Sequence, residues 1–567
     1  MDVDIADSLP QLTRTSNAVQ HDLYAASLDH HDDDAATIVV HNEAEGVQIA
    51  VDIEHMPVAD DPRNWSVLRK NLILLLCFFA STVAGLAANI QTPGIEEMEA
   101  DLPATSSQIS LSISLFILFQ GLVPLLWSAI SEVKGRKVLV FLCSVRDIAD
   151  KPYFYLKIVY LISLAIFTVA SIIVATSRTI GMVIGFRCLQ AAGSSAVTSL
   201  GGATLADIYD PEQRGTKIGI YYISLLLGPS IGALLGGALT DAFSWRAIFY
   251  FLAILSGIVL LAFQCFQDTF RHERSSAYQA ILKRRLAEHV TSKKLPSKED
   301  VAPRGAVVIQ QTPETDVEKQ VVSQAQVVNV ASDIKLSLMD VNPVKPMIAV
   351  IIRRYNYTIL IASGILFAFS FLIMYTTSRT LGTFYHYEPL SIGLVLVCYG
   401  VGNVFGSFLG GRWSDYQMAR LTKQNGGKKS PEMRLQGTLL GLFMMPLCIV
   451  AYGWIIQQRL HIAAVCVILL ACGFFVIFVY TSTLAYLVDS NVGRSSTAIA
   501  LNSAFRGTFA FIVTEDDLGD GWMYTIMAGL VAISGLLIVL VMCKGAEWRV
   551  SAEQREIRKQ LEANEKH

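Results

Sequence analysis

About twelve runs of roughly 18–25 apolar residues, separated by charged stretches, occupy most of this chain. Each is long enough, as a helix, to cross ~30 Å of hydrocarbon. Lipid offers no water to a backbone amide, so a run of that kind must satisfy its own polar groups as a helix. Composition agrees with this reading. Of 567 residues, 53% are hydrophobic and 16% charged, with mean hydropathy +0.46, whereas a soluble domain carries about 25% charged residues. A soluble enzyme is excluded. The net charge of −3 says nothing about nucleic acid, because the charge is distributed so unevenly.

The expected spans cover residues 71–92, 108–129, 157–176, 181–206, 217–239 and 247–266, then 355–378, 390–411, 435–456, 461–487, 496–514 and 523–543. Residues 1–60 are polar and acidic, with HHDDD at His30–Asp34 and Arg14 as the one basic residue, and are expected to be a disordered tail. No apolar segment with a small-residue cleavage site precedes the first span, which is therefore expected to stay as a signal anchor. A polar stretch, 267–346, separates two sets of six spans. The expected units are a tail (1–60), an N-terminal six-helix bundle (61–266), a central loop (267–346), a C-terminal bundle (347–545) and a tail (546–567).

Basic short loops stay in the cytosol. Lys134, Arg136 and Lys137 mark the loop after span two, Arg214 and Lys217 that after span four, and Arg412, Arg420, Lys423, Lys428, Lys429 and Arg434 that after span eight. The first loop holds Glu96, Glu97, Glu99 and Asp101, and the eleventh Asp516, Asp517 and Asp520. Both termini and the central loop are thus expected in the cytosol, where the sequons at Asn64 and Asn356 escape glycosylation. The plasma membrane is the expected location, with the vacuole as the alternative. Landmarks also repeat. Glu132 in SAISE and Asp415 in GRWSD stand 283 residues apart, and Asp207 and Asp489, each followed by an arginine (Arg214, Arg494), stand 282 apart. Two related halves are the plan on which transporters close a site at mid-membrane.

The segment SAISEVKGRK, Ser128–Lys137, carries an acid at a helix end, then Gly135, Arg136 and Lys137. It resembles the loop signature of the major facilitator superfamily, G-x-x-x-D-R-x-G-R-R, with Ser128, Glu132 and Val133 at the first Gly, the Asp and the first Arg. DPRNW, Asp61–Trp65, resembles the element preceding the first span in fungal members. FRCLQAAGSSA is similar to the family's R-x-x-Q-G signature, with Ala191 at the glycine. GPSIGALLGG, Gly228–Gly237, resembles the signature of the twelve-span drug:proton antiporter branch. The likeness covers residues 61–550. It implies an all-α polytopic membrane protein with twelve transmembrane helices in two pseudo-symmetric six-helix bundles, the major facilitator fold. The implied activity is proton-coupled efflux of a drug, toxin or secondary metabolite. Partners are then membrane lipid, a small-molecule substrate and protons, with no nucleic acid, no cofactor and a monomeric state.

The resemblance assigns proton coupling to Arg187 and Gln190. Charge favours the same place, since an arginine at mid-membrane costs at least ~2.5–3.5 kcal/mol and must face the bundle interior or water. Glu132, Gly135, Arg136, Lys137, Asp207, Arg214, Asp415, Asp489 and Arg494 are expected to gate by latching the halves at the cytosolic surface; ordinary positive-inside topology would place the same charges there. Gly228, Pro229, Gly232, Gly236 and Gly237 are expected to form a close-packed seam between halves. Asn89, Gln120, Tyr222, Tyr375, Arg379, Tyr399, Asn403, Tyr480, Asn502 and Arg506 are candidates for the cavity, or for helix–helix hydrogen bonds.

No Asp or Glu lies near a span midpoint, so the cavity is expected to be cationic and to favour neutral or carboxylate substrates. An organic-acid exporter of citrate type, a facilitative or symporting importer, and a transport-incompetent sensor all stay open. Enzymatic function is not expected: there is no Ser/His/Asp order, phosphate-cradling loop, CxxC or Cys/His metal spacing. Residues 138–157 stand as an extra segment. Their removal joins GRK to IVYLISL, as for a retained intron or splice variant, and the eleventh loop is short.

Overall fold

The computed structural model describes residues 37–41, 48–52, 61–133, 155–209, 211–266, 269, 271, 344–427, 430–491, 494–512 and 520–564. Among the described residues, twelve long helices form the body. In the first half they are α1 (Val67–Asn89), α2 (Ser106–Val133), α3 (Tyr155–Ala175), α4 (Ile180–Ile208), α5 (Pro211–Ala242) and α6 (Trp245–Ala262). In the second they are α7 (Arg354–Thr383), α8 (Pro389–Gln424), α9 (Leu439–Gln457), α10 (Ile462–Asp489), α11 (Ser495–Ile512) and α12 (Asp520–Asn564). Among the described residues, ten helices are long and apolar enough to cross a membrane. Helices α5 and α11, of 32 and 18 residues, are the other two long helices.

Polar residues start these rods where the apolar runs begin. Ser66 accepts from the Arg69 amide at the head of α1, and Thr179 does the same for Met182 at the head of α4. Two ends run further than expected. Helix α8 continues to Gln424 and α12 to Asn564, because charged residues with good helix propensity extend each rod beyond its apolar part.

The helix contacts repeat between halves. Helix α1 packs on α5, α2 on α4, and α3 on α4 and α6; advancing every label by six gives α7 on α11, α8 on α10, and α9 on α10 and α12, all present. The halves meet mainly along α5–α8 and α2–α11, which exchange under the same shift. Each half has its own apolar core; Phe371 and Tyr375 of α7 join that of the first, and Ala233 of α5 joins that of the second.

Two expectations change, and a third falls mostly outside the described residues. The acidic N-terminal stretch is not without structure throughout: β1 (Thr37–His41) and β2 (Gln48–Asp52) pair antiparallel, with Val39 opposite Ala50, because both segments are rich in β-branched residues. Of the extra segment 138–157, residues 155–157 form the first turn of α3 and the remainder lies outside the described residues. The glycine seam also divides. A Cβ on Gly228 would sit 2.6 Å from Gly85 Cα, one on Gly232 would sit 2.8 Å from the Leu86 oxygen, and one on Gly236 would overlap the Ile90 carbonyl. These three therefore pack α5 onto α1 within one half. Gly237 alone of the five is shown against the other half, at Pro389; elsewhere on that seam, Gly393 faces Ala233 and Gly400 faces Ser230. The spacing of four defines a helix face, but not which neighbour receives it. Of the central stretch, only Thr269, Arg271 and the start of a short helix, Val344–Ile351, are described.

Gly236→Ala should therefore lower the apparent Tm of the detergent-purified protein, by about 1–3 kcal/mol of stability. A Cβ on Gly185 meets nothing within 4 Å, so Gly185→Ala should raise Tm slightly through helix propensity, by up to about 1 kcal/mol. Equal effects from the two substitutions would contradict the packing described.

Candidate functional site

Arg187 lies on α4 one turn before Gln190 and is 0% exposed. Its Nη1 donates to the Ala87 carbonyl of α1 at 3.0 Å and to Gln190 Oε1 at 2.8 Å. Gln190 Nε2 donates in turn to Ser171 Oγ of α3 at 2.7 Å. The guanidinium carbon stands 4.0 Å from the centre of the Phe116 ring of α2 and 5.7 Å from that of Phe249 of α6. Arg187 and Gln190 together thus tie α4 to four other helices of their half. No carboxylate pairs with it among the described residues, and its Nε and Nη2 have no hydrogen-bond partner there. The aromatic faces supply part of the missing counter-charge.

Arg506 sits at the middle of α11 and is half-buried. Its Nη1 donates to Tyr480 Oη of α10 at 2.8 Å, and Asn502, one turn earlier on α11, donates to the same oxygen at 3.1 Å. The guanidinium carbon lies 3.9 Å from the ring centre of Phe367 of α7. Three of the expected cavity residues are therefore brought together, and Phe367, which composition alone does not distinguish from any core aromatic, joins them.

The other cavity candidates scatter. Gln120 donates to the Ala84 carbonyl at 3.2 Å, joining α2 to α1, and Tyr399 donates to Ser370 Oγ at 2.9 Å, joining α8 to α7. Asn89 is buried on α1. Tyr375 packs into the core of the first half from α7. Asn403 has a buried Oδ1 without a partner among the described residues. Arg379 is half-buried near the end of α7, and the side chain of Tyr222 lies outside the described residues.

At the basic-loop end, Arg434 bridges two helices. Its Nη1 reaches Asp415 Oδ1 of α8 at 2.6 Å and its Nε reaches Asp489 Oδ2 of α10 at 2.5 Å. Burial opposes the charge of Arg434, yet the two carboxylates hold its pKa above the ordinary arginine value. Glu556 on the extension of α12 accepts from Arg353 at 3.0 Å and from Arg494 at 3.2 Å, and Glu432 accepts from Arg549 at 3.4 Å. These ion pairs all join elements of the second half. Among the described residues, Asp415 and Asp489 pair with Arg434, and Arg494 with Glu556, all within the second half. Asp207 accepts from Thr269 Oγ1 at 3.2 Å. Gly135, Arg136, Lys137 and the side chains of Glu132 and Arg214 lie outside the described residues.

The halves are drawn together at the opposite, acidic-loop end. Ser378 Oγ of α7 donates to the Thr92 carbonyl at 2.6 Å, and Gly382 rests against the carboxylate of Glu96, where a Cβ would overlap it. Asp101 accepts from Trp245 Nε1 at 3.0 Å and pairs with Arg246.

Sequence reasoning counted Arg434 only as a basic loop residue and missed Arg353 and Glu556. The available signal was a pair of acids repeated at helix ends, each of which needs a cation within reach.

The profile of the Major Facilitator Superfamily matches residues 149–514. Among similar curated proteins, "MFS antiporter QDR3" of Candida albicans is 24% identical over 87% of this chain and 80% of its own. "Efflux pump radE" of Floropilus chiversii is 27% identical over 82% of this chain and 79% of its own. "Quinidine resistance protein 3" of Saccharomyces cerevisiae is 23% identical over 92% and 88%. In solved structures the fold is similar to that of the xylose transporter XylE from E. coli in a partially occluded inward-open conformation. That match has TM-score 0.51 and 11% identity, and covers 84% of this chain and 99% of XylE. A D-xylose-proton symporter gives TM-score 0.52 at 11% identity over 82% and 97%.

Arg434→Gln should lower apparent Tm by about 1–3 kcal/mol of stability, since two charge-assisted bonds are lost. Adding Asp489→Asn should recover more of the loss than adding Asp415→Asn, because Asp489 is 30% exposed and Asp415 71%. The reverse order in a thermal-unfolding series would assign the bridge to the wrong carboxylate.

Proposed function

Because the chain belongs to the major facilitator superfamily, a family of secondary active transporters, we propose that it exports a small organic molecule in exchange for protons, by alternating access between its two halves. The observation that carries this reading is the contact between halves. It runs along α5–α8 and α2–α11 through small residues such as Gly393 at Ala233 and Gly400 at Ser230, and is drawn tight at the acidic-loop end by Ser378 and Thr92. Small residues let helices approach closely. The names of the relatives, an antiporter, an efflux pump and a quinidine resistance protein, support export.

In this reading, Arg187 and Gln190 couple the proton to the movement. Arg187 holds the Ala87 carbonyl of α1; the surface of α1 from Gly85 to Ile90 carries Gly228, Gly232 and Gly236 of α5; and the next face of α5 meets α8. A change in charge balance around Arg187 has a packed route to the interface between halves. Asn403, Tyr480, Asn502 and Arg506 contribute to the substrate path. The charges of the basic-loop end, Glu132, Arg136, Lys137, Asp207 and Arg214 with their counterparts Asp415, Asp489 and Arg494, control closure there, and Gly135 allows the turn between them. The two bundles span 61–266 and 347–545, with both termini and the central loop in the cytosol. The protein works as a monomer in the plasma membrane.

Reconstituted vesicles test this directly. An imposed pH gradient should drive uptake of a labelled organic probe by the wild type, and Arg187→Ala should reduce it by about 5- to 150-fold, the range of ordinary coupling energies. Wild-type transport by Arg187→Ala at normal expression removes the coupling role. Ligand binding with no flux in any gradient favours a sensor over a transporter.

A further inference from the structure

Two arginines lie within the apolar spans without a carboxylate partner among the described residues, and they differ in access. Arg187 is wholly enclosed by its own half. Arg506 is half-buried, on the face of α11 turned towards α7 and α10.

The hydrogen-bonding pattern around Arg506 is one-sided. Tyr480 Oη accepts from Arg506 Nη1 and from Asn502 Nδ2, so the phenol oxygen is filled as an acceptor and keeps its own proton to donate. Arg506 Nε is buried with no hydrogen-bond partner among the described residues. Among the described residues, Tyr480 Oη–H and Arg506 Nε thus have no acceptor, beside the apolar ring of Phe367, 3.9 Å from the guanidinium. A carboxylate is the group that fits an arginine fork and a phenol proton together. A cationic molecule would meet like charge instead, with no Asp or Glu near the midpoint of any described span.

Resting on the exporter reading, we propose that Arg506 and Tyr480, with Asn502 fixing the phenol, form the subsite for a carboxylate of the exported molecule, and that Phe367 receives the apolar or aromatic part attached to it. The cargo class is then an amphipathic organic acid. Arg506 supplies the charge, Tyr480 the second donor, and Asn502 acts as a positioning residue.

The test compares probes of one skeleton and three charge states: naphthoate, naphthamide and naphthylmethylammonium. Binding is measured on the full-length protein purified in detergent. The wild type should bind naphthoate about 10- to 100-fold more tightly than naphthamide, the factor a charge-assisted pair confers. Arg506→Gln should abolish that preference, Arg506→Lys should keep part of it, and Tyr480→Phe should weaken it, each variant being monodisperse on size exclusion. Equal or tighter binding of the amide or ammonium form overturns the proposal, as does a preference that survives Arg506→Gln. Chloride or inorganic phosphate displacing naphthoate at equal concentration also overturns it, since the subsite would then take a simple anion.

Counterflow in vesicles separates the two claims. Exchange of the amide or ammonium form but not naphthoate refutes the cargo class and leaves the exporter standing. Naphthoate binding in detergent with no exchange of any probe supports the subsite and refutes the exporter.

Discussion

A full positive charge placed among apolar helices has to be surrounded, and the first half of this protein is arranged around that requirement. Arg187 finds a carbonyl on α1, an amide on its own helix linked to α3, and aromatic faces on α2 and α6. Each contact is modest by itself. Together they leave little freedom in how the helices of that half can be placed, because moving any one strands a donor in a region where nothing else can satisfy it. The close seating of α5 on α1 sits directly beside this cluster.

Helix α5 has two small-residue faces with different tasks. One, Gly228, Gly232 and Gly236, binds it to α1; the other, Ser230, Ala233 and Gly237, lies against Pro389, Gly393 and Gly400 of α8. The same helix therefore belongs firmly to its own half while providing the surface on which the other half bears. Side chains there are short, so relative movement of the halves disturbs few rotamers. The second half is held by different means at its basic-loop end. Arg434 joins α8 to α10, and Glu556 joins the approaches to α7 and α11, so that four helices of this half are tied together by charge.

Much of the fold was legible because hydrocarbon thickness dictates span length and the two halves repeat their landmarks. Each expected span falls on one of the twelve long helices, ten of which are long and apolar enough to cross a membrane, with ends displaced where charged helix continues past the apolar run, as at Gln424 and Asn564. The site was less legible. Arg187, Gln190, Tyr480, Asn502 and Arg506 could be singled out because polar groups in lipid are costly, but only the fold shows that Tyr480 joins Asn502 and Arg506 while Gln120 and Tyr399 bond elsewhere. The five glycines of GPSIGALLGG were recognisable as a contact surface, yet periodicity does not identify the partner helix. Arg434 was hidden because a cation in a polar loop looks like any other positive-inside residue until two carboxylates are seen beside it.

Helix α12 has 45 residues in one rod, about 67 Å at 1.5 Å per residue, of which the bilayer takes about 30 Å. Because Arg353 and Arg494 fasten it through Glu556 to the body of the second half, the protruding part acts as a rigid pointer. A tilt of about ten degrees would sweep a tip held about 30 Å from the membrane through about 5 Å. A spin or fluorescent label near the end of this rod would thus magnify the rocking of the half into a distance that spectroscopy can read, while leaving the membrane-embedded surfaces untouched.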